Sequence, residues 1–178
     1  MVGDTVLVET GTYFENIVID KTITLISRAV FDDLSTWMEY DDGYVVSNYN
    51  IQNTIIDGDG SSESILYIKT PSGGNCTAPT IQGFTIQNGG QGSEIEGSYY
   101  GGGFLAYNSL PTFNYNLFSN NGDDTDRGGG GAVYYEEDFS GCDNLRGNDF
   151  EMTTNAYGNN EASYGNSFAS SGFDGDID

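Results

Sequence analysis

The chain has 178 residues, among them 26 Gly, 13 Tyr and 10 Phe but only 3 Pro and 2 Cys. Its 27 acidic side chains outnumber 5 basic ones, with no histidine, for a net charge of −22. Nucleic acid and anionic membrane surfaces are excluded as partners, since both are held through Lys and Arg clusters. No apolar run approaches the ~20 residues of a membrane-spanning helix.

Aromatic and β-branched residues punctuated by Gly and Asn predict an all-β chain, long enough for one domain with its own core. Residues 5–27 read as three short strands, Thr5–Val8, Asn16–Ile19 and Thr22–Ser27, with the stretch Glu9 to Tyr13 as a turn built on Gly11. Residues 28–50 hold the lone Trp and several acids and break this pattern. They predict a loop insertion, or one short helical turn, lying over the strands. Regular strands resume at Thr54–Asp57 and Ile65–Lys69.

Next comes an internal echo. P-T-I-Q-G-F-T-I-Q-N-G-G at 79–90 recurs as P-T-F-N-Y-N-L-F-S-N-N-G at 111–122, an offset of 32. One more step of 32 reaches Leu145, Asn148 and Phe150. This predicts an inner ladder of Ile81, Phe113 and Leu145, and an amide ladder of Asn116 on Asn148. A second echo interleaves with the first: G-G-G-F-L-A-Y at 101–107 matches G-G-G-A-V-Y-Y at 129–135 with an offset of 28. The tail, 156–178, repeats Tyr-Gly-Asn at 157–159 and 164–166 in a register the pattern leaves open. Short strands at a near-fixed period, with hydrophobic positions stacking on themselves, are the mark of a parallel solenoid.

Cys76 and Cys142 lie 66 residues apart, roughly two periods. Equivalent strand positions two coils apart stand about 9–10 Å apart, beyond the ~7 Å between Cα atoms that a disulfide spans. Two separate thiols are therefore expected. Neither end resembles a solenoid cap, and Met1 to Asp4 leads straight into a strand without a signal-peptide pattern. The chain is expected to be an excerpt of a longer one.

The stretch G-D-T-V-L-V-E-T-G-T-Y-F-E-N-I-V-I-D-K-T-I-T-L-I-S at 3–27 resembles the opening coil of pectin-lyase-like β-helix proteins. T-I-I-D-G-D-G at 54–60, I-Q-G-F-T-I-Q-N-G at 81–89 and G-G-G-F-L-A-Y-N-S-L-P-T-F at 101–113 resemble the coils that follow in that superfamily. The resemblance implies a right-handed parallel β-helix of about five or six coils, spanning 1–178 as one domain. It implies polysaccharides as the class of partner. It implies no particular activity, because the group includes lyases, hydrolases, depolymerases and surface proteins. None of its catalytic signatures falls on a residue here: the chain has no histidine, and Arg127, in D-D-T-D-R, is the one base set among acids.

Two other chemistries remain. D-G-D-G-S-S-E at 57–63 and N-G-D-D-T-D at 121–126 place oxygen ligands in turns, as calcium prefers. Asp57, Asp59, Asp123, Asp124 and Asp126 are the candidate ligands, and calcium is the candidate cofactor. The same aspartates suit plain turn caps. Tyr100, Tyr107 and Tyr135 lie near the Gly-led strands and are candidates for stacking on sugar rings. In an adjacent tyrosine pair one ring points inward, and the pattern leaves open which one. The leading expectation is a noncatalytic extracellular or cell-surface module, structural, adhesive or carbohydrate-contacting. The alternatives are a fragment of a polysaccharide lyase or glycoside hydrolase, and a unit that self-associates end to end through its terminal strand edges.

Overall fold

The computed structural model describes residues 3–40, 44–123, 128–136, 142 and 151–171. Strands β1 (Thr5–Val8), β2 (Gly11–Phe14), β3 (Ile17–Ile19) and β4 (Thr24–Ser27) open the chain. An insertion follows, with two 3-10 turns, a hairpin of β5 (Met38–Tyr40) and β6 (Tyr44–Val46), and a five-residue helix α1 (Tyr49–Asn53). After it come β7 (Thr54–Asp57), β8 (Leu66–Lys69), β9 (Thr80–Gln82) and β10 (Thr85–Gln87). A second hairpin, β11 (Ser93–Ile95) with β12 (Ser98–Tyr100), precedes β13 (Phe104–Tyr107), β14 (Thr112–Asn114) and β15 (Leu117–Ser119). The last strands are β16 (Val133–Glu136), β17 (Glu151–Thr153), β18 (Ala156–Gly158) and β19 (Phe168–Ser171).

Fifteen of these strands form three five-stranded sheets. The orders are β1-β4-β9-β14-β17, β2-β7-β10-β15-β18 and β3-β8-β13-β16-β19, and every pairing within them is parallel. The chain thus deals its strands to the first, second and third sheet in rotation, five times round. The chain is all-β, built on parallel sheets. The turn expected over Glu9 to Tyr13 is in part a strand, β2, whose Gly11 aligns with Thr54 of β7.

One core gathers residues of all three sheets. Leu25, Ile81, Phe113 and Met152 align in the first, Ile56, Ile86 and Phe118 in the second, and Leu66, Phe104 and Val133 in the third. All belong to a single buried cluster. Phe104 stacks on Phe113 with ring centroids 4.1 Å apart, so two sheets meet ring on ring. The echo of 32 is therefore real between β9 and β14, where Thr80 aligns with Thr112 and Ile81 with Phe113.

The next step is not 32 but 39. Met152, not Leu145, aligns with Phe113, and the amide ladder runs from Asn116 to Asn155, not to Asn148. Leu145, Asn148 and Phe150 lie outside the described residues. Asn116 is fully buried and its Nδ2 donates to the Asn155 Oδ1 (3.1 Å) and to the Ile81 carbonyl (3.0 Å). Its Oδ1 accepts from the Phe84 N–H at 3.0 Å. Asn121 and Asn160 repeat the arrangement above Gly89, at 3.0 Å to the Gly89 N–H and 3.1 Å to each other. Backbone groups left bare at the corners between sheets are thus paired from the round above.

The offset of 28 is also one residue short. Phe104 aligns with Val133, Leu105 with Tyr134 and Ala106 with Tyr135, a step of 29. The left-handed glycines mark the same register, Gly101 at φ +65 and Gly130 at φ +73. At Gly102 a Cβ would lie 2.5 Å from the Gly122 nitrogen and 2.5 Å from the Gly90 carbonyl oxygen, so the corner closes only on glycine. A slip of one sends every side chain to the opposite face of its strand, and that decides where the tyrosines point.

The described residues of the 28–50 insertion form more than a loop. Ala29, Trp37, Val46 and Ile51 bury together against Tyr115, Leu117 and Ala156, so the insertion covers the outer side of the second sheet. Asn48 caps α1 by accepting from the Ile51 N–H at 3.0 Å.

The two cysteines are bonded, contrary to the thiols expected: Cys76 and Cys142 join with Cα atoms 4.7 Å apart. Neither occupies a stacked strand position. Cys76 sits in the β8–β9 connection and Cys142 follows β16, so the rise per layer does not set their distance. Between them in the stack lies the Asn108–Ser109 corner, where Thr77 bridges Ser109 and the Asn108 carbonyl oxygen lies 3.1 Å from the Cys142 sulfur. The bond clips two connections together across an intervening layer.

Candidate functional site

The third sheet carries two outward rows, each set by the register. One runs Val18, Tyr67, Leu105, Tyr134, Ala169 and the other Lys69, Tyr107, Glu136, Ser171. Neighbours within a row stand about 4.8 Å apart. The β11–β12 hairpin folds over the first row. Its turn residues Glu96 (φ 51) and Gly97 (φ 84) are both left-handed, as a tight two-residue hairpin requires. Ile95 and Tyr100 on its inner side pack with Leu105, Tyr134 and Tyr67. Tyr100 stacks on Tyr134 with centroids 4.1 Å apart.

A reciprocal serine pair fastens the hairpin. The Ser93 N–H donates to Ser64 Oγ (2.9 Å) and the Ser64 N–H to Ser93 Oγ (3.3 Å), while the Ser64 hydroxyl donates to the Tyr100 carbonyl (3.1 Å). Asn16, one layer away, donates from Nδ2 to the Ser64 carbonyl at 3.0 Å. The space between the hairpin and the edge of the sheet is an open cleft of about 420 Å3, lined among others by Asn16, Glu63, Ser64, Tyr67, Glu94 and Tyr99. Glu94 and Tyr99 face each other across the hairpin strands. The cleft is therefore lined by two tyrosines, an asparagine, several serines and two exposed glutamates. The Lys69 ammonium lies 5.1 Å from the Tyr67 ring centroid, within cation–π range.

Burial is the largest influence on Tyr67, Tyr134 and Tyr164. It raises the Tyr67 hydroxyl above its ordinary range, helped by Tyr107 and Glu136. The Tyr134 hydroxyl is raised for the same reason, helped by Glu136, Tyr100 and Tyr164, and the Ser171 hydrogen bond offsets only part of this. Tyr164 is raised by burial and by Tyr100. All three stay neutral donors to higher pH than a free tyrosine.

Among the three tyrosines named from sequence, Tyr100 and Tyr107 lie on this outer face. Tyr135 does not: it is 1% exposed and belongs to the core, because the step of 29 turns it inward and its neighbour Tyr134 outward. Tyr67 and Tyr99 line the cleft; sequence reasoning missed Tyr67, while Tyr99 is the neighbour of Tyr100 in one of the ambiguous pairs. A signal for Tyr99 existed in the Glu-Gly pair at 96–97, flanked by Ser-Glu-Ile and Ser-Tyr-Tyr.

Of the aspartates named as calcium ligands, the described ones, Asp57, Asp59 and Asp123, form no group of three placed to hold a metal. Asp57 is buried, and its Oδ1 accepts from the Asp59 N–H (2.9 Å). Its Oδ2 accepts from Gln87 Nε2 (2.8 Å) and Asn88 Nδ2 (2.9 Å), which ties one round to the next. Asp59 is exposed with φ 50, and Asp123 is half-buried in a different turn. Asp124, Asp126 and Arg127 lie outside the described residues. Among the described residues, no group of three or more acidic, His or Cys side chains is placed to hold a metal. Comparison with family models, curated proteins and solved structures found no match to this chain.

Proposed function

We propose that this chain is a right-handed parallel β-helix module of the pectin-lyase-like type that binds a carbohydrate in the cleft under the β11–β12 hairpin. The rotation of strands through three parallel sheets supports the fold reading, and parallel crossovers favour the right hand. One observation carries the binding reading: Tyr67 and Tyr99 line a cleft together with serine, asparagine and glutamate residues. Flat amphipathic rings stack on sugar faces while hydroxyl and amide groups take their hydroxyls. The Cys76–Cys142 bond supports an extracellular or cell-surface setting, since such bonds persist where the surroundings are oxidising.

The test is titration calorimetry of the whole chain against a panel of soluble neutral, acidic and amine-bearing oligosaccharides. Saturable binding to at least one, lost in Tyr67→Ala and in Tyr99→Ala, is expected. Absence of binding across the panel overturns the reading. Glu63 and Glu94 lining one cleft favour a second reading as a glycoside hydrolase, whose chemistry rests on two carboxylates. New reducing ends that disappear in Glu63→Gln or Glu94→Gln would put that reading first.

A further inference from the structure

We infer that the Cys76–Cys142 bond is a thiol-exchange site, at which a small thiol bonds to Cys76 and Cys142 is released. The inference is independent of the carbohydrate reading. The two cysteines sit in unlike surroundings. Cys76 is half-buried and lines an open depression of about 480 Å3, together with Asp4, Asp20, Lys21, Thr22 and Asn75. Cys142 is only 5% exposed and is not among the residues that line this depression. Solvent therefore reaches the bond from the Cys76 side. The walls are tied to one another: the Ala78 N–H donates to Thr22 Oγ1 (3.0 Å), and the Thr24 N–H to the Asp4 carbonyl (2.9 Å). A depression of this size has room for a thiol as large as a tripeptide.

Exchange is governed by which sulfur a thiolate can reach and by how readily the other departs. The incoming thiolate bonds to the Cys76 sulfur, the Cys76–Cys142 bond breaks, and its electron pair goes to the Cys142 sulfur. The proton that the incoming thiol lost ends on Cys142. One disulfide replaces another, so no oxidant or reductant is consumed. The departing sulfur has neighbours suited to both of its forms. Thr70 Oγ1, which accepts from the Thr77 N–H at 2.9 Å, lies 3.9 Å from the Cys142 sulfur and can donate its hydrogen to a thiolate there. The Asn108 carbonyl oxygen, 3.1 Å away, can accept from the thiol once it is protonated. Neither cysteine belongs to a stacked strand, so exchange unclips two connections and leaves the three sheets paired.

The test exposes the folded chain briefly to glutathione, quenches it with N-ethylmaleimide in denaturant, and maps both cysteines by mass. Glutathione on Cys76 with maleimide on Cys142 is expected, and the reverse pattern should be at least about tenfold rarer, a bias that urea abolishes. Single variants give a second reading that needs no trapping. The Cys76 thiol of Cys142→Ser should react with Ellman's reagent about tenfold faster than the Cys142 thiol of Cys76→Ser, and equally fast in urea. Circular dichroism of the glutathione adduct should keep the β signal of the parent chain. Equal labelling of the two cysteines, an adduct mainly on Cys142, exchange that occurs only as the chain unfolds, or an adduct that has lost its β signal would overturn the inference.

Discussion

Asn116 shows how much of this fold hangs on single amides. It is fully buried, yet every polar atom of its side chain has a partner, two of them in the round below and one in the round above. Asn116→Ala would remove the side-chain partners of the Phe84 N–H, the Ile81 carbonyl and the Asn155 Oδ1 at once. Each unsatisfied buried group costs on the order of 1–3 kcal/mol, and local relaxation recovers part of the loss, so a destabilisation of about 3 kcal/mol is expected. Equilibrium urea unfolding checks it. Asn114→Ala, in the half-buried neighbouring strand β14, should cost far less. If the two variants unfold alike, the amide ladder adds nothing beyond the strand pairing.

At the scale of elements, the Cys76–Cys142 bond ties the β8–β9 connection to the segment after β16, across 66 residues of chain. Closing a loop of that length restricts the unfolded chain by about 4 kcal/mol in the entropy model, and measured bonds deliver about 2–4. For a chain of this size that is about 5–15 °C in Tm. Reducing agent, or Cys76→Ser with Cys142→Ser, is expected to lower Tm by that amount in calorimetry. The double serine variant should be indifferent to reducing agent. A melt that reducing agent leaves unmoved in the parent chain would refute this role.

The same connections explain what the amino-acid pattern revealed and what it hid. The step of 32 was legible because the β9–β10 and β14–β15 units have equal length and share Pro-Thr and Asn-Gly punctuation. The next step carries seven more residues, so extending a constant period led to Leu145 and Asn148. The Asn-Asn pairs at 120–121 and 159–160 held the true step of 39. The 28-for-29 slip came from aligning three glycines with a run of four, 128–131, where sequence has no way to mark which glycine takes the left-handed turn. The disulfide was hidden because loop residues do not obey the rise per layer. The cleft was hidden because its hairpin sits outside the repeat and Tyr99 belongs to an adjacent tyrosine pair, whose facing depends on a register not yet known.

For the whole molecule, charge is the dominant unbalanced quantity, with 27 acidic against 5 basic side chains. Like charges spread over a compact body repel, and the unfolded chain relieves that repulsion by expanding. Salt shortens the reach of each charge from about 10 Å at 0.1 M to about 3 Å at 1 M. Screening also weakens attractive pairs, but the Arg28–Glu9 pair is fully exposed and such pairs contribute little. Repulsion therefore outweighs attraction, and the sign follows: Tm should rise with sodium chloride across this range, by roughly 5–10 °C for a few kcal/mol of relieved repulsion. A flat or falling Tm would mean that the acids are spaced too widely to sense one another.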